Sequence, residues 1–277
     1  MAPTKVLKVF EEGTFGAALV EEEGRLLVLK YPPSKSGWRA LLAYAGYSWP
    51  LQNLLPTERA FVYSASIEER LQKEARTLEL WANAGIPAPN VCKLSGELIA
   101  LEYIPNTVSF RKLLSGRLDL EAFDKLMEVY SQIRDLAKQK RDPDYLHSDP
   151  MFSNFLYDTE NDRVIAVDPG VVLNPQFDFD TLDAYVLDRT LMVIANQNLP
   201  DSDIGKYVRR FKDQMSDEDV TRVVSIPHVI PVVADAYFSV RNWTAAKVKN
   251  RQMVDNLVAI RTYCKNYHAF IEDILLE

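Results

Sequence analysis

A chain of 277 residues with 47% hydrophobic and 26% charged residues has enough apolar content for one large domain or two modest lobes around a cleft. The formal charge of −7 and a pI near 5.2 exclude broad nucleic-acid binding, because no basic surplus exists to neutralise phosphates. Cys92 and Cys264 are far apart and form no CxxC pair, which excludes a disulfide framework or zinc site and favours a reducing compartment. The first residues, MAPTKVLKVFEEG, lack a signal-peptide core, and the apolar run at 41–51 is too short to span a bilayer. The expectation is a soluble, cytoplasmic protein.

Residues 5–31 read as two strands joined across EEGTFGAALVEEEG, with Gly24 in the second turn. In RLLVLKY, Leu26, Val28 and Lys30 share one face and Leu27, Leu29 and Tyr31 the other. Lys30 is thus a lysine among apolar residues; either it snorkels from the strand edge or it meets a carboxylate. Residues 32–65 carry Pro32, Pro33, Gly37, Pro50, Pro56, Trp38 and Trp49, the mark of an irregular or partly helical insertion. Its aromatics either pack it down or touch a substrate or a membrane surface.

From Ser66 the spacing predicts a helix. Ser66 and Glu69 have capping-box spacing, Leu71, Ala75, Leu78 and Ala82 form the apolar stripe, and Gly85 with Pro87 marks the stop. Glu74 falls on that stripe, where a carboxylate needs a cationic partner, and Lys30 has the complementary problem. Residues 90–104 give two further strands around Gly96, SFRKLLSG a short helix, and Asp119 the cap of a long helix to about Lys140. The apolar stripe of that helix is Leu120, Phe123, Met127, Tyr130, Ile133 and Ala137.

The stretch HSDPMFSNFLYDTENDRVIAVDPG, residues 147–170, reads as a loop, a strand, a polar turn and a second strand. With the turn centred near Asn161, antiparallel pairing brings Asn154 within about one residue of Asp168. Asp149 lies just upstream beside Pro150. Two carboxylates and an amide oxygen at one end of a hairpin suit a hard cation such as magnesium. Asp180 and Asp183 have cap-like spacing and are expected to start a helix; helical patterns then run from Asp201 to the end, including VADAYFSVRNW. His228 and His268 have no neighbours that suggest a metal site or a dyad.

HxDxxxxN followed by a strand ending in D-x-G, here His147, Asp149, Asn154, Asp168 and Gly170, resembles the protein-kinase-like superfamily. Within it the chain is similar to the compact atypical branch: RIO-type kinases, the small kinases of the tRNA-modification complex, and lipopolysaccharide Kdo/heptose kinases. KEARTLELWANAGIPAPNV resembles the glutamate helix of that branch, and the Trp/Tyr-containing insertion resembles the lipopolysaccharide kinases. The resemblance covers roughly residues 5–190. It implies an α+β, bilobal protein-kinase-like fold, with a small antiparallel sheet and one main helix in residues 1–104 and a mostly helical lobe in 105–277.

The resemblance also implies roles. Lys30 would hold the α- and β-phosphates of ATP, oriented by Glu74; Asn154 and Asp168 would hold Mg2+; Asp149 would orient or deprotonate the acceptor hydroxyl. Gly13, Thr14 and Gly16 would approach the phosphates, and the backbone around Glu102, Tyr103 and Ile104 would meet the adenine. The acceptor would be a lipopolysaccharide-type sugar or a protein serine, with peripheral membrane contact through 32–65 at the inner face of a membrane. The glycine loop lacks a third glycine, Ser148 replaces the usual arginine, Pro169 replaces the usual phenylalanine, and no APE-like element follows. Regulation through an activation loop is therefore not expected. Two other readings keep the fold: a nucleotide-binding pseudokinase scaffold, and transfer of AMP instead of phosphate.

Overall fold

The computed structural model describes residues 5–10, 16–32, 56–62, 65–115, 117–227, 258 and 261–277. Gly13, Thr14, most of the insertion, His228 and the VADAYFSVRNW segment lie outside the described residues.

The chain begins with β1 (Lys5–Phe10), β2 (Gly16–Glu22) and β3 (Arg25–Tyr31). Glu23 and Gly24, between β2 and β3, both take positive φ, the backbone of a two-residue hairpin turn whose twist matches its strands. β4 (Val91–Ser95) and β5 (Leu98–Glu102) complete an antiparallel sheet of order β1-β2-β3-β5-β4. One face of this sheet carries Ala18, Val20, Leu27 and Ala100, with Leu29 and Tyr31 of the same face packed beside them. The other turns Ile99 and Leu101 toward the main core, with Val28 packed against it.

That second face is covered by α1 (Ile67–Asn83), which opens with the Ser66–Glu69 capping box. Leu71, Ala75, Leu78 and Trp81 are its buried stripe. Ala82 is exposed, contrary to the expected stripe: a helix advances 100° per residue, and the indole of Trp81 takes the last inward position. Trp81 Nε1 donates to Tyr145 O at 2.8 Å, which ties α1 to the second half of the chain.

The second half holds β6 (Thr107–Ser109), β7 (Phe155–Asp158) and β8 (Arg163–Ala166) in one antiparallel sheet. The hairpin β7–β8 was expected; its third strand, β6, arises because the chain leaving β5 runs back along β7, pairing Ser109 with Leu156. Helices α2 (Phe110–Leu113), α3 (Leu120–Lys140), α4 (Phe179–Ala195), α5 (Asp201–Lys212) and α6 (Asp217–Val224) pack around it. A C-terminal helical stretch passes through a π turn at Tyr267–Ile271 into α7 (Glu272–Leu276). The architecture is α+β and bilobal. No described helix is long and apolar enough to cross a membrane.

The start of α4 differs from the sequence expectation. Asp178, not Asp180, is the cap and accepts from Thr181 N at 2.8 Å. Asp180 sits in the first turn bonded to Arg141 and Arg222, while Asp183 is buried against Arg134 at 2.7 Å. Acidic residues at such spacing satisfy several cap templates, and the tertiary cations decide which is used.

Segment 56–62 packs against the second half of the chain, although it lies between β3 and α1 in sequence. Its 3-10 turn, Pro56–Ala60, precedes an isolated bridge from Phe61 to Leu173. Val62 N donates to Val172 O at 2.8 Å and Asn174 N to Ala60 O at 2.7 Å.

Candidate active site

β3 turns Lys30 to the same side as Val28, toward α1. Its Nζ donates to Glu74 Oε1 at 2.6 Å and to Asp168 Oδ1 at 2.9 Å. Glu74 is fully buried on the apolar stripe of α1, and its Oε2 accepts no hydrogen bond among the described residues. The cluster holds two carboxylates for one amine. Burial pushes the Glu74 carboxyl up to about 7 despite the pull of Lys30. Asp168, 42% exposed in its side chain, accommodates its charge: burial opposes it, but Lys30 holds the group below the usual carboxylate range. Burial also works against the Lys30 ammonium, yet Asp168 and Glu74 together hold it above its ordinary value.

The hairpin delivers Asp168 as its register requires. Phe155 pairs with Ala166, and Val167 N donates to Asn154 O at 2.9 Å, so Asn154 lies one position from Asp168. Asp168 itself takes φ +58, a left-handed conformation uncommon outside glycine. Upstream, Met151 N donates to Asp149 O at 2.7 Å and Asn154 N to Met151 O at 2.8 Å, curling the loop into a 3-10 turn at Phe152–Asn154. Asn154 Nδ2 then donates to Asp149 O at 2.9 Å and Asp149 Oδ2 at 3.1 Å. That pins the amide's nitrogen end on Asp149 and directs its oxygen elsewhere.

His147 is buried against the rings of Trp81 and Phe155, at centroid distances of 5.2 and 4.8 Å. Neither nitrogen makes a well-formed hydrogen bond among the described residues, and the backbone of Asn154 and Val167 lies close enough to oppose, without cancelling, the effect of burial. Burial pushes its imidazole down to about 4, so the ring is neutral and serves as packing. Ser148 Oγ donates to Pro169 O at 2.8 Å. The two residues that depart from the usual motif therefore hold each other, joining the Asp149 loop to the Asp168 loop.

Strand, helix and hairpin thus contribute a lysine and two acids to one contact, with the Asp149–Asn154 loop beside it. The fold is protein-kinase-like. No protein-family model and no curated protein matches the sequence. Among solved structures, the chain is similar to a choline/ethanolamine kinase family protein from Mesorhizobium loti, at 16% identity and TM-score 0.43, covering 100% of this chain and 92% of that one. It is also similar to the choline kinase LicA from Streptococcus pneumoniae, at 14% identity and TM-score 0.41, over 96% and 95% of the two chains. The Mycobacterium tuberculosis PknI kinase domain has 14% identity and TM-score 0.42, over 71% and 75%. The kinase-like order of elements and the Lys30 contacts are features of this chain itself.

Other expected positions are placed less directly. Gly16 opens β2 opposite Tyr31, whose ring occupies the space a side chain would fill: a Cβ there would lie 2.2 Å from Tyr31 Cε2. Glu102 ends β5 opposite Leu27, three positions from Lys30, and Tyr103 N donates to Leu26 O at 3.2 Å. The Glu102 carboxylate turns to Asn90 Nδ2 at 2.6 Å. Glu102, Tyr103 and Ile104 line a cavity of about 320 Å³ with Asp158, Asn161 and Arg163. That cavity lies at the turn of the β7–β8 hairpin, the opposite end from Asp168.

Two residues beside Asp149 had not been singled out from sequence. Arg189 of α4 donates from Nη2 to Asp149 Oδ1 at 3.0 Å and places Nη1 3.5 Å from Glu58 Oε1. Burial pushes the Asp149 carboxyl up, and Arg189 pulls against that shift without cancelling it. The usable signal was α4 itself: a helix apolar on nearly every face has charges at Asp183, Asp188 and Arg189 that demand partners.

Proposed function

We propose that the protein is a Mg-ATP-dependent phosphotransferase that passes the γ-phosphate of ATP to a hydroxyl acceptor. The observation that carries this reading is the Lys30 amine held between Glu74 and Asp168, residues 44 and 138 positions away. A core gains nothing from a lysine and two acids gathered there, whereas phosphoryl transfer needs a placed cation and a metal-holding carboxylate.

The donor set fits magnesium. Asn154 has its amide nitrogen committed to Asp149, and its Oδ1, which accepts from Ser153 Oγ at 3.2 Å, keeps a second lone pair for a hard cation, while Asp168 keeps Oδ2 beyond the oxygen bonded to Lys30. Magnesium is commonly held by one or two protein oxygens and completed by phosphates and water. When bound, Mg2+ would neutralise charge on the phosphate oxygens. Lys30 would pair with the α- and β-phosphates while Glu74 holds its amine in line. Asp149 would accept the hydrogen bond of the acceptor hydroxyl and take its proton as the oxygen attacks phosphorus. The backbone from Glu102 to Ile104 and the Gly13–Gly16 turn would meet adenine and phosphates.

We favour a small-molecule or glycan hydroxyl over a protein serine. Only residues 171–177 separate Gly170 from the Asp178 cap of α4, and Leu173 and Val172 within them are bonded to Phe61 and Val62. That link is too short and too engaged for a peptide-binding activation segment. Turnover of γ-labelled ATP with magnesium, measured for the parent, Asp149→Ala and Asp168→Ala, tests the reading. Loss of label transfer in both variants is expected; parent-like turnover in both would overturn it. Intact mass of the product separates phosphate from AMP transfer.

A further inference from the structure

The Asp149 carboxylate is held from two sides. Asn154 Nδ2 meets Oδ2 at 3.1 Å and Arg189 Nη2 meets Oδ1 at 3.0 Å. A carboxylate offers roughly four lone-pair sites, so one donor on each oxygen fixes the plane and leaves sites for an incoming hydroxyl. Arg189 is long and rotamer-rich, and its pose is set by segment 56–62. Glu58 lies 3.5 Å from Nη1, and the Phe61 ring lies under the guanidinium at 4.4 Å. The neighbouring Asp188 accepts hydrogen bonds from Thr57 of the same segment and from Tyr263. Backbone bonds from Val62 to Val172 and from Asn174 to Ala60 seat the segment.

We infer that Arg189 is a positioning residue for Asp149, and that Glu58 fixes Arg189, so segment 56–62 sets the orientation of the acceptor-side carboxylate. This rests on the phosphotransfer reading above. Only a guanidinium does this: its two terminal nitrogens divide between Asp149 and Glu58 while its plane stacks on Phe61, which an ammonium cannot reproduce. In the reaction the acceptor oxygen bonds to the γ-phosphorus, the bond to the bridging oxygen breaks, ADP leaves with that electron pair, and the acceptor proton passes to Asp149. A carboxylate free to swing would lose the hydroxyl's alignment without weakening ATP binding.

The test uses the full chain with Mg-ATP and water as acceptor, so no acceptor need be known. Arg189→Ala should lower kcat by about 100-fold and leave the KM for ATP within about twofold, the cost of a small misplacement at the reacting centre. Arg189→Lys should fail to restore the rate, and Glu58→Gln should lower kcat by about tenfold with the same unchanged KM. Millimolar guanidinium should recover part of the Arg189→Ala loss and none of the Asp149→Ala loss. Arg141→Met, which removes a different Arg–Asp pair, serves as control and should turn over like the parent. The inference is overturned if Glu58→Gln and Arg189→Lys keep parental kcat, or if they lower only the melting temperature. If Asp149→Ala and Asp168→Ala also keep parental turnover, the phosphotransfer reading itself has fallen and takes this one with it.

Discussion

The Lys30 amine donates to the Asp168 carboxylate at 2.9 Å, joining a strand of the first sheet to the end of a hairpin in the second. The same amine meets Glu74 at 2.6 Å, so two lobes and one helix converge on one cation. Lys30→Met should therefore do two separable things. It strands the buried Glu74 carboxyl, at a cost of about 3–5 kcal/mol, and it removes the charge proposed to pair with the phosphates. Lys30→Met/Glu74→Leu should regain most of the stability, read from urea unfolding, and none of the ATP turnover. Recovery of turnover in the double variant would remove Lys30 from the chemistry.

Glu74 gives an inverted pH response. Its folded pKa of about 7 lies above the ordinary 4.5, so between those values the folded state binds more protons than the unfolded. Its contribution is fully present below pH 4.5 and is lost as pH rises through 7. Glu74→Gln should flatten that part of the stability–pH curve. An unchanged curve would mean that the carboxyl stays ionised throughout.

His147 slopes the other way. Burial holds its imidazole at about 4, below the ordinary 6.5, so the unfolded state binds more protons between the two values. Stability is fully present above pH 6.5 and declines as pH falls toward 4. Because neither nitrogen makes a well-formed hydrogen bond among the described residues and the ring packs on Trp81 and Phe155, His147→Phe should fold, turn over ATP and lose this acid slope. Inactivity of a well-folded His147→Phe would assign the ring a role beyond packing.

The parts legible in the sequence were those fixed by short-range rules. Ser66 and Glu69 announced α1 because a capping box needs only a three-residue spacing. Asn154 and Asp168 could be placed together because strand pairing conserves the sum of partner positions around a turn. Lys30 and Glu74 stood out because each broke an apolar pattern, and one salt bridge resolves both. Arg189 and Glu58 stayed hidden because their spacing is purely tertiary. Nothing near residue 58 indicates that its segment crosses to the other lobe, and although charges on a helix as apolar as α4 demand partners, no local spacing says which. The choice of Asp178 over Asp180 as cap was equally out of reach, since Arg141 and Arg222 decide it from other elements.

Gly16 offers a test of why glycine stands there. The Tyr31 ring lies where its side chain would be, with ring atoms 2.2 to 2.8 Å from a Cβ. Gly16→Ala should displace the ring, at a cost of about 1 kcal/mol or less because the clashing atoms are the end of a half-buried side chain. Gly16→Ala/Tyr31→Ala should relieve that strain, so the two effects should fail to add in a thermal double-mutant cycle. Additive effects would mean that the ring moves aside freely, leaving approach of the phosphates as the reason for the glycine.

Away from the site, Arg134 holds three helices together. Its guanidinium makes paired hydrogen bonds to Asp183 of α4, at 2.7 and 2.8 Å, and also bridges to Asp219 of α6. Asp219 accepts from Lys138 as well, at 2.9 Å. All three members of the Arg134 triad are buried, so Arg134→Met leaves two carboxylates without their main partner and should cost about 3–5 kcal/mol. The acid limb should change in step. Burial works against the Asp219 charge, but hydrogen bonds from Arg134 and Lys138 outweigh it and hold the carboxyl well below its ordinary range. A depressed carboxyl stabilises the fold above its unfolded pKa of 3.8, and that share is lost as pH falls toward the folded value. Arg134→Met should therefore unfold more readily at neutral pH and also show a shallower loss of stability below pH 4, measured by urea midpoints across pH. A variant that loses stability equally at every pH would show that the triad acts by packing and not by charge.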